Sequence, residues 1–149
     1  MTQALLIKAD GEVSPVTLPE ENAYHTINSL VGGYIDAVST EDVVGYVHDE
    51  GMLIGLEPNI IASVLFGRPL VGDCVVVGHL NERGEYDGED HDVPSMLLSE
   101  DFQHVAGLIL SDARVRMAVE ASIARIMEDP TPKVVPMTDE MFDAWLEGK

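Results

Sequence analysis

Apolar residues recur along this chain with two different periods, and the change of period separates a strand-rich part from a helical part. Six short runs have the composition of strands: 4–7, 13–18, 34–38, 43–48, 52–56 and 74–77. Asp10-Gly11 predicts a hairpin turn after the first run, and Pro15 places the second strand at a sheet edge because proline donates no ladder hydrogen bond. The run from Cys74 to Val77 is entirely apolar, which is typical of a central strand buried on both faces.

Helical spacing lies between these runs and dominates after Pro94. The first predicted helix begins at Pro19-Glu20-Glu21 and ends at Gly32-Gly33, since glycine adopts the left-handed conformation of a helix C-cap. Its apolar stripe is Ala23, Ile27, Leu30 and Val31. A second, short helix has Asn59 as N-cap and ends at Gly67. Further helices are expected to begin at 99–101, at 111–112 and, after the prolines at 130, 132 and 136, at 138–140.

These elements predict an α+β fold with a small mixed or antiparallel sheet of about five strands. One helix follows the first hairpin, and the C-terminal third is helical. We expect one core domain over residues 1–110, with an acidic loop at 81–94, and a helical extension over 111–149 packed on the same domain. The expected buried stripe of the helix after residue 112 is Val115, Ala118, Val119, Ser122 and Ile126.

The chain is strongly acidic, with 27 acidic against 8 basic side chains and a formal net charge of −19. Such a protein repels nucleic acid and anionic membranes and attracts basic proteins or cations; the alternative is that its acidity only maintains solubility. A single cysteine, Cys74, excludes an internal disulfide, and its apolar setting favours a buried, inert thiol over a nucleophile. Without an apolar run long enough for a signal or a membrane span, we expect a soluble cytoplasmic protein.

The acidic segment from Asn81 to Asp92 is expected to be an exposed loop. Its Asp90-His91-Asp92 sequence offers oxygen and imidazole ligands, but it lacks the order of a calcium loop and the spacing of a zinc site. We therefore favour a solvated loop over a metal site and expect no cofactor. Nucleophile elbows, phosphate-binding loops and dinucleotide fingerprints are also missing from the sequence, which favours a non-enzymatic protein without assigned catalytic residues.

Three motifs occur in a characteristic order: Leu30-Val31-Gly32-Gly33-Tyr34-Ile35, then Asp49-Glu50-Gly51 with Leu56-Glu57-Pro58-Asn59, then Val71-Gly72-Asp73-Cys74-Val75-Val76-Val77-Gly78. In this order and spacing they resemble domain-of-unknown-function family 3846, small uncharacterised phage and prophage proteins. The resemblance runs from Ala4 to Ile109, apart from the acidic loop. It implies a small α+β domain encoded by a bacteriophage and carries over no activity and no catalytic residue.

Three functions follow as hypotheses. The first is a non-enzymatic phage accessory protein that binds a host protein, with the final helix as its partner surface: Asp139, Phe142, Asp143, Trp145, Leu146 and Glu147. The alternative for this apolar patch is that it packs on the protein's own core. The second is an acidic nucleic-acid mimic that blocks a DNA-binding host protein. The third is a protein that sequesters a small nucleotide signal through Arg114, Arg116 and Arg125.

Overall fold

A computed structural model describes residues 1–128, which form a five-stranded antiparallel sheet with helices on both of its faces. The strands are β1 (Thr2–Ile7), β2 (Val13–Leu18), β3 (Ile35–Ser39), β4 (Val43–His48) and β5 (Cys74–Gly78). The helices are α1 (Ala23–Val31), α2 (Ile60–Phe66), α3 (Glu100–Ser111) and α4 (Ala113–Glu128), with a short 3-10 helix at Ser95–Leu98. The predicted α+β class is confirmed, and the sheet is antiparallel throughout.

The strand order is β2-β1-β5-β4-β3, so β5 lies between the β1–β2 hairpin and the β3–β4 hairpin. Strand β5 pairs with β1 on one side and with β4 on the other, and every residue in it is buried. This is the central position that its apolar sequence predicts. Strand β2, which contains Pro15, lies at one edge, also as predicted, and β3 forms the other edge.

The two faces of the sheet carry separate cores because successive side chains of a strand point in opposite directions. On one face, Leu6 and Val75 pack with Ile27 and Val31 of α1. On the other face, the apolar residues of the sheet pack with α2, α3 and the 3-10 helix: Leu5, Ile7, Val76, Ile61, Phe66, Leu97, Phe102 and Ala106. None of the helices within residues 1–128 is long and apolar enough to cross a membrane.

The structure corrects one predicted strand and the start of one predicted helix. Residues 52–56 form successive turns rather than a strand, with hydrogen bonds from Ile54 N to Glu50 O and from Leu56 N to Gly51 O. The apolar run cannot pair with β4, the strand that precedes it, because β3 and β5 already lie on the two sides of β4. Helix α1 begins at Ala23, after Asn22 in a left-handed conformation, and Glu20 instead contacts the N-terminal amine at 3.1 Å.

Helix α4 also differs from prediction in its burial. Val115, Val119 and Ser122 are half-buried, whereas Ala118 and Ile126 are exposed, and α4 contains no fully buried residue. The predicted stripe is therefore only partly buried. Its contacts are made with α2 and α3.

Candidate functional site

The three sequence motifs meet at one end of the sheet, where β1 and β4 end and β3 and β5 begin. At this end the completely buried Asn59 side chain connects three segments by hydrogen bonds. Its Oδ1 accepts a hydrogen bond from Ala62 N at 3.0 Å, as the predicted N-cap of α2. Its Nδ2 donates to Ile7 O and to Gly72 O, both at 2.8 Å. One side chain thus fixes β1, α2 and the loop before β5, which is a structural role.

The Gly32-Gly33 pair has two separate structural reasons. Gly32 caps α1 with φ +88°, and its backbone N–H donates to Asn28 O. Gly33 provides space, because a Cβ atom there would lie 2.5 Å from Nε2 of His48 at the end of β4. The neighbouring motif residue Asp73 accepts a hydrogen bond from Ala9 N at 3.0 Å. The motifs therefore specify the fold at this end of the sheet.

A cavity of about 190 Å³ opens at this motif end, and Arg68 is its basic residue. Its acidic residues are Asp36, Asp49 and Glu50, and His48 accepts a hydrogen bond from Glu50 N through Nδ1 at 3.0 Å. Three carboxylates against one guanidinium give this cavity a negative potential, which disfavours an anionic ligand.

Ten acidic residues lie in the segments at the opposite end of the sheet, and we call this end the acidic pole. It is formed by the segments that follow β2, join β3 to β4 and follow β5. Its ten acidic residues are Glu20, Glu21, Glu41, Asp42, Glu82, Glu85, Asp87, Glu89, Asp90 and Asp92. Arg83 is the only lysine or arginine in these segments. Antiparallel pairing brings together here residues that lie far apart in the sequence.

The acidic loop of the pole is anchored at both ends. Gly78 and His91 exchange backbone hydrogen bonds of 2.8 and 3.0 Å. Asp92 accepts from Gln3 N at 2.7 Å, and the buried Tyr46 hydroxyl donates to the two Asp90 carboxylate oxygens at 2.7 and 2.8 Å. Burial, reinforced by the Asp90 carboxylate, raises the pKa of Tyr46 above its ordinary value, so this hydroxyl remains a donor.

Within the loop, Asp87 accepts hydrogen bonds from His91 Nε2 at 2.7 Å and from Glu89 N at 3.0 Å. The hydrogen bond with His91 lowers the pKa of the Asp87 carboxyl below its ordinary value. Asn81 accepts from the backbone N–H groups of Arg83 and Glu85. The loop is exposed, as predicted, but it is an internally bonded structure. The described residues, 1–128, contain no group of three acidic, histidine or cysteine side chains arranged to hold a metal ion.

The predicted arginines lie apart on α4, and all three are exposed. Arg114 contacts Asp112 at 3.5 Å, and Arg125 donates to Ser122 Oγ at 3.4 Å. Arg114 and Arg125 are separated by about 16 Å along the helix, while Arg116 lies on another side of it. The cavity between α4 and α2 is lined from α4 by Ala118, Val119 and Ser122 instead. The six predicted partner-binding residues, from Asp139 to Glu147, lie outside the described residues.

Sequence reasoning missed Tyr46 as the anchor of the acidic loop. Strand alternation places Tyr46 on the α1 face with Val44, but Asp90 is 44 positions away and no local pattern joins the two. It also missed that Glu20, Glu21, Glu41 and Asp42 belong to the same surface as the loop. The position of β5 between β1 and β4 creates that surface, and strand order was not available from the local patterns.

The fold defines the class of this protein as a small antiparallel α+β domain. Residues 1–98 match the sequence model of a family described as a domain of unknown function, DUF3846, and the chain belongs to that family. The match confirms the resemblance, but it includes the acidic loop and ends before α3. No curated protein and no solved structure gives a significant match to the chain.

Proposed function

We propose that this protein is a non-enzymatic bacteriophage accessory protein that binds a basic surface of a host protein through the acidic pole. The observation that carries the proposal is the concentration of ten carboxylates at one end of the sheet, with Arg83 as their only lysine or arginine. A surface of one sign of charge accelerates association with a partner of the opposite sign and selects against acidic partners.

The anchoring of the acidic loop supports this proposal. A loop held by Tyr46, Gly78 and Gln3 presents its carboxylates in a defined arrangement. Less conformational entropy is then lost when a partner binds. Glu82, Glu85 and Glu89 form no ion pair among the described residues, so their charges are available to a partner.

The chemistry of the buried polar groups also favours binding over catalysis. Burial raises the pKa of the Cys74 thiol to about 12, which keeps it protonated and unreactive at neutral pH. The buried side chains of Asn59 and Ser63 are both hydrogen-bonded to backbone groups. An activated nucleophile has a lowered pKa and an accessible side chain, whereas Cys74 has a raised pKa and is buried.

The experiment compares two triple variants of the full chain. Glu82→Gln, Glu85→Gln and Glu89→Gln together neutralise the pole, and Glu57→Gln, Glu100→Gln and Glu120→Gln remove the same charge from other exposed positions. Affinity capture from host lysate should recover one stoichiometric partner with the wild type and the control but not with the pole variant. Binding of the purified partner should weaken as salt rises. Equal capture by all three proteins would overturn the proposal.

The same purified partner distinguishes a nucleic-acid mimic from a protein ligand of another kind. A mimic would compete with DNA for the partner, and the competition would depend steeply on salt. A partner that binds DNA and this protein simultaneously would exclude the mimic. Deletion of residues 130–149 then tests whether the predicted patch of Phe142, Trp145 and Leu146 contributes to the affinity.

A further inference from the structure

An apolar groove lies on the helical side of the protein, between α2, α3 and the 3-10 helix. It encloses about 270 Å³, and its wall includes Val64 of α2, Met96 of the 3-10 helix, and Phe102 and Val105 of α3. Asp101 is the one charged residue of its lining. Val64, Met96 and Val105 remain 43%, 61% and 47% exposed, so the rim of the groove presents apolar surface to solvent within the described part of the chain.

We propose that the C-terminal segment of this same chain, residues 129–149, occupies the groove through Phe142, Trp145 and Leu146. These three residues recur at positions i, i+3 and i+4, the spacing with which a helix presents one apolar face to a groove. The segment also matches the groove chemically, since large apolar side chains meet an apolar wall. The proposal is independent of the acidic pole and of any partner.

The end of α4 places this segment within reach. Val64 lines the groove, and it also lines the neighbouring cavity to which Ser122 of α4 contributes. The groove therefore lies next to α4. Glu128 follows Ser122 by about 9 Å along the helix axis. The chain from Glu128 to Phe142 spans up to about 46 Å when extended, whereas a domain of this size has a radius of gyration of about 14 Å.

Covalent attachment favours this occupant over a second copy of the chain. A tethered segment has an effective concentration far above that of a separate molecule in dilute solution. A second copy would also bring a further net charge of −19 toward the first. Charge repulsion therefore opposes the intermolecular arrangement, especially at low salt.

Trp145 reports on the proposal directly because it is the only tryptophan of the chain. In the 149-residue chain we expect a blue-shifted Trp145 emission that is protected from acrylamide and does not change on dilution. Two separate variants place a carboxylate on the rim, Val105→Asp and Met96→Asp. Each should shift the emission to the red and increase acrylamide quenching severalfold, because a charged rim disfavours entry of an apolar face.

Leu108→Asp is the matched control, since Leu108 lies on α3, is 57% exposed and is not part of the groove lining. It should retain wild-type emission, and circular dichroism should show that all three variants are folded. Fully solvated emission in the wild type would overturn the proposal. If Trp145 remained protected from acrylamide in both rim variants, the segment would occupy another site. If the protection were lost on dilution and the protein had a dimeric mass, the groove would be occupied by a second copy. Either result would also overturn the proposal.

Discussion

At the scale of single residues, Asn59 makes more hydrogen bonds than a helix N-cap requires. Its replacement in Asn59→Ala leaves the carbonyls of Ile7 and Gly72 and the N–H of Ala62 without their partner. Each buried polar group left unsatisfied costs about 1–3 kcal/mol, so the free energy of unfolding should fall by about 3 kcal/mol or more. Urea denaturation measures this change.

Ser99→Ala is the control for Asn59→Ala. Ser99 is the N-cap of α3: its hydroxyl accepts a hydrogen bond from Phe102 N at 3.3 Å and donates one to Met96 O, and both partners lie within three residues of it along the chain. Loss of such a cap costs about 1 kcal/mol. If the two variants lost equal stability, the two additional hydrogen bonds of Asn59 would have no net value.

Cys74 makes folding dependent on pH above neutrality. Burial, with a smaller contribution from Asp73, raises the pKa of its thiol from 9.0 to about 12 in the folded protein. The folded state therefore holds this proton more tightly, and the stabilisation is complete below pH 9.0 and is lost as the pH rises toward about 12. The free energy of unfolding should decrease across that interval.

Cys74→Ala isolates the contribution of the thiol, because alanine does not ionise. The variant is expected to be less stable at neutral pH, but its denaturation midpoint should fall less between pH 9.0 and about 12 than that of the wild type. In the folded wild type, thiol reagents should react only as fast as the protein unfolds. Parallel pH profiles of the two proteins would contradict the assigned pKa shift.

At the scale of elements, the sequence predicts the strands and helix ends that depend on neighbouring residues, such as turn, cap and proline positions. The boundaries of β2 and β4, the edge position of Pro15 and the caps of α2 and α3 agree with the structure. The run at 52–56 was misassigned because its apolar composition is compatible with a strand, whereas pairing depends on which strands flank β4. The acidic pole escaped prediction for the same reason, since it depends on strand order.

The edge strand β3 carries its own protection against pairing with another sheet. The Ala37 N–H points away from β4 and donates to the Asp36 carboxylate at 3.0 Å. A charged side chain bonded in this way occupies a free edge donor, and its charge disfavours an approaching strand. Asp36→Val should therefore increase self-association, measured as a rise in sedimentation coefficient with protein concentration.

Glu41→Val is the control for Asp36→Val, because it removes the same charge from the turn after β3 without uncovering an edge N–H. We expect this variant to sediment as the wild type does. Association of both variants to the same extent would attribute the effect to net charge alone. Pro15 protects the other edge by a different means, since it removes the donor itself.

At the scale of the whole molecule, a net charge of −19 opposes the compact state, and the acidic pole concentrates this repulsion. The Debye length falls from about 30 Å at 0.01 M salt to about 8 Å at 0.15 M, so added salt should stabilise the wild type. The triple variant with glutamine at 82, 85 and 89 should be more stable than the wild type at low salt.

The control with glutamine at 57, 100 and 120 separates local repulsion from net charge, because the two triple variants carry the same total charge. Like charges close together repel more strongly than charges spread over the surface, so the pole variant should gain more stability at low salt than the control. Screening should remove the difference at high salt. Urea denaturation at several salt concentrations measures both effects. An equal gain in the two variants at every concentration would mean that the carboxylates of the pole act only through the total charge.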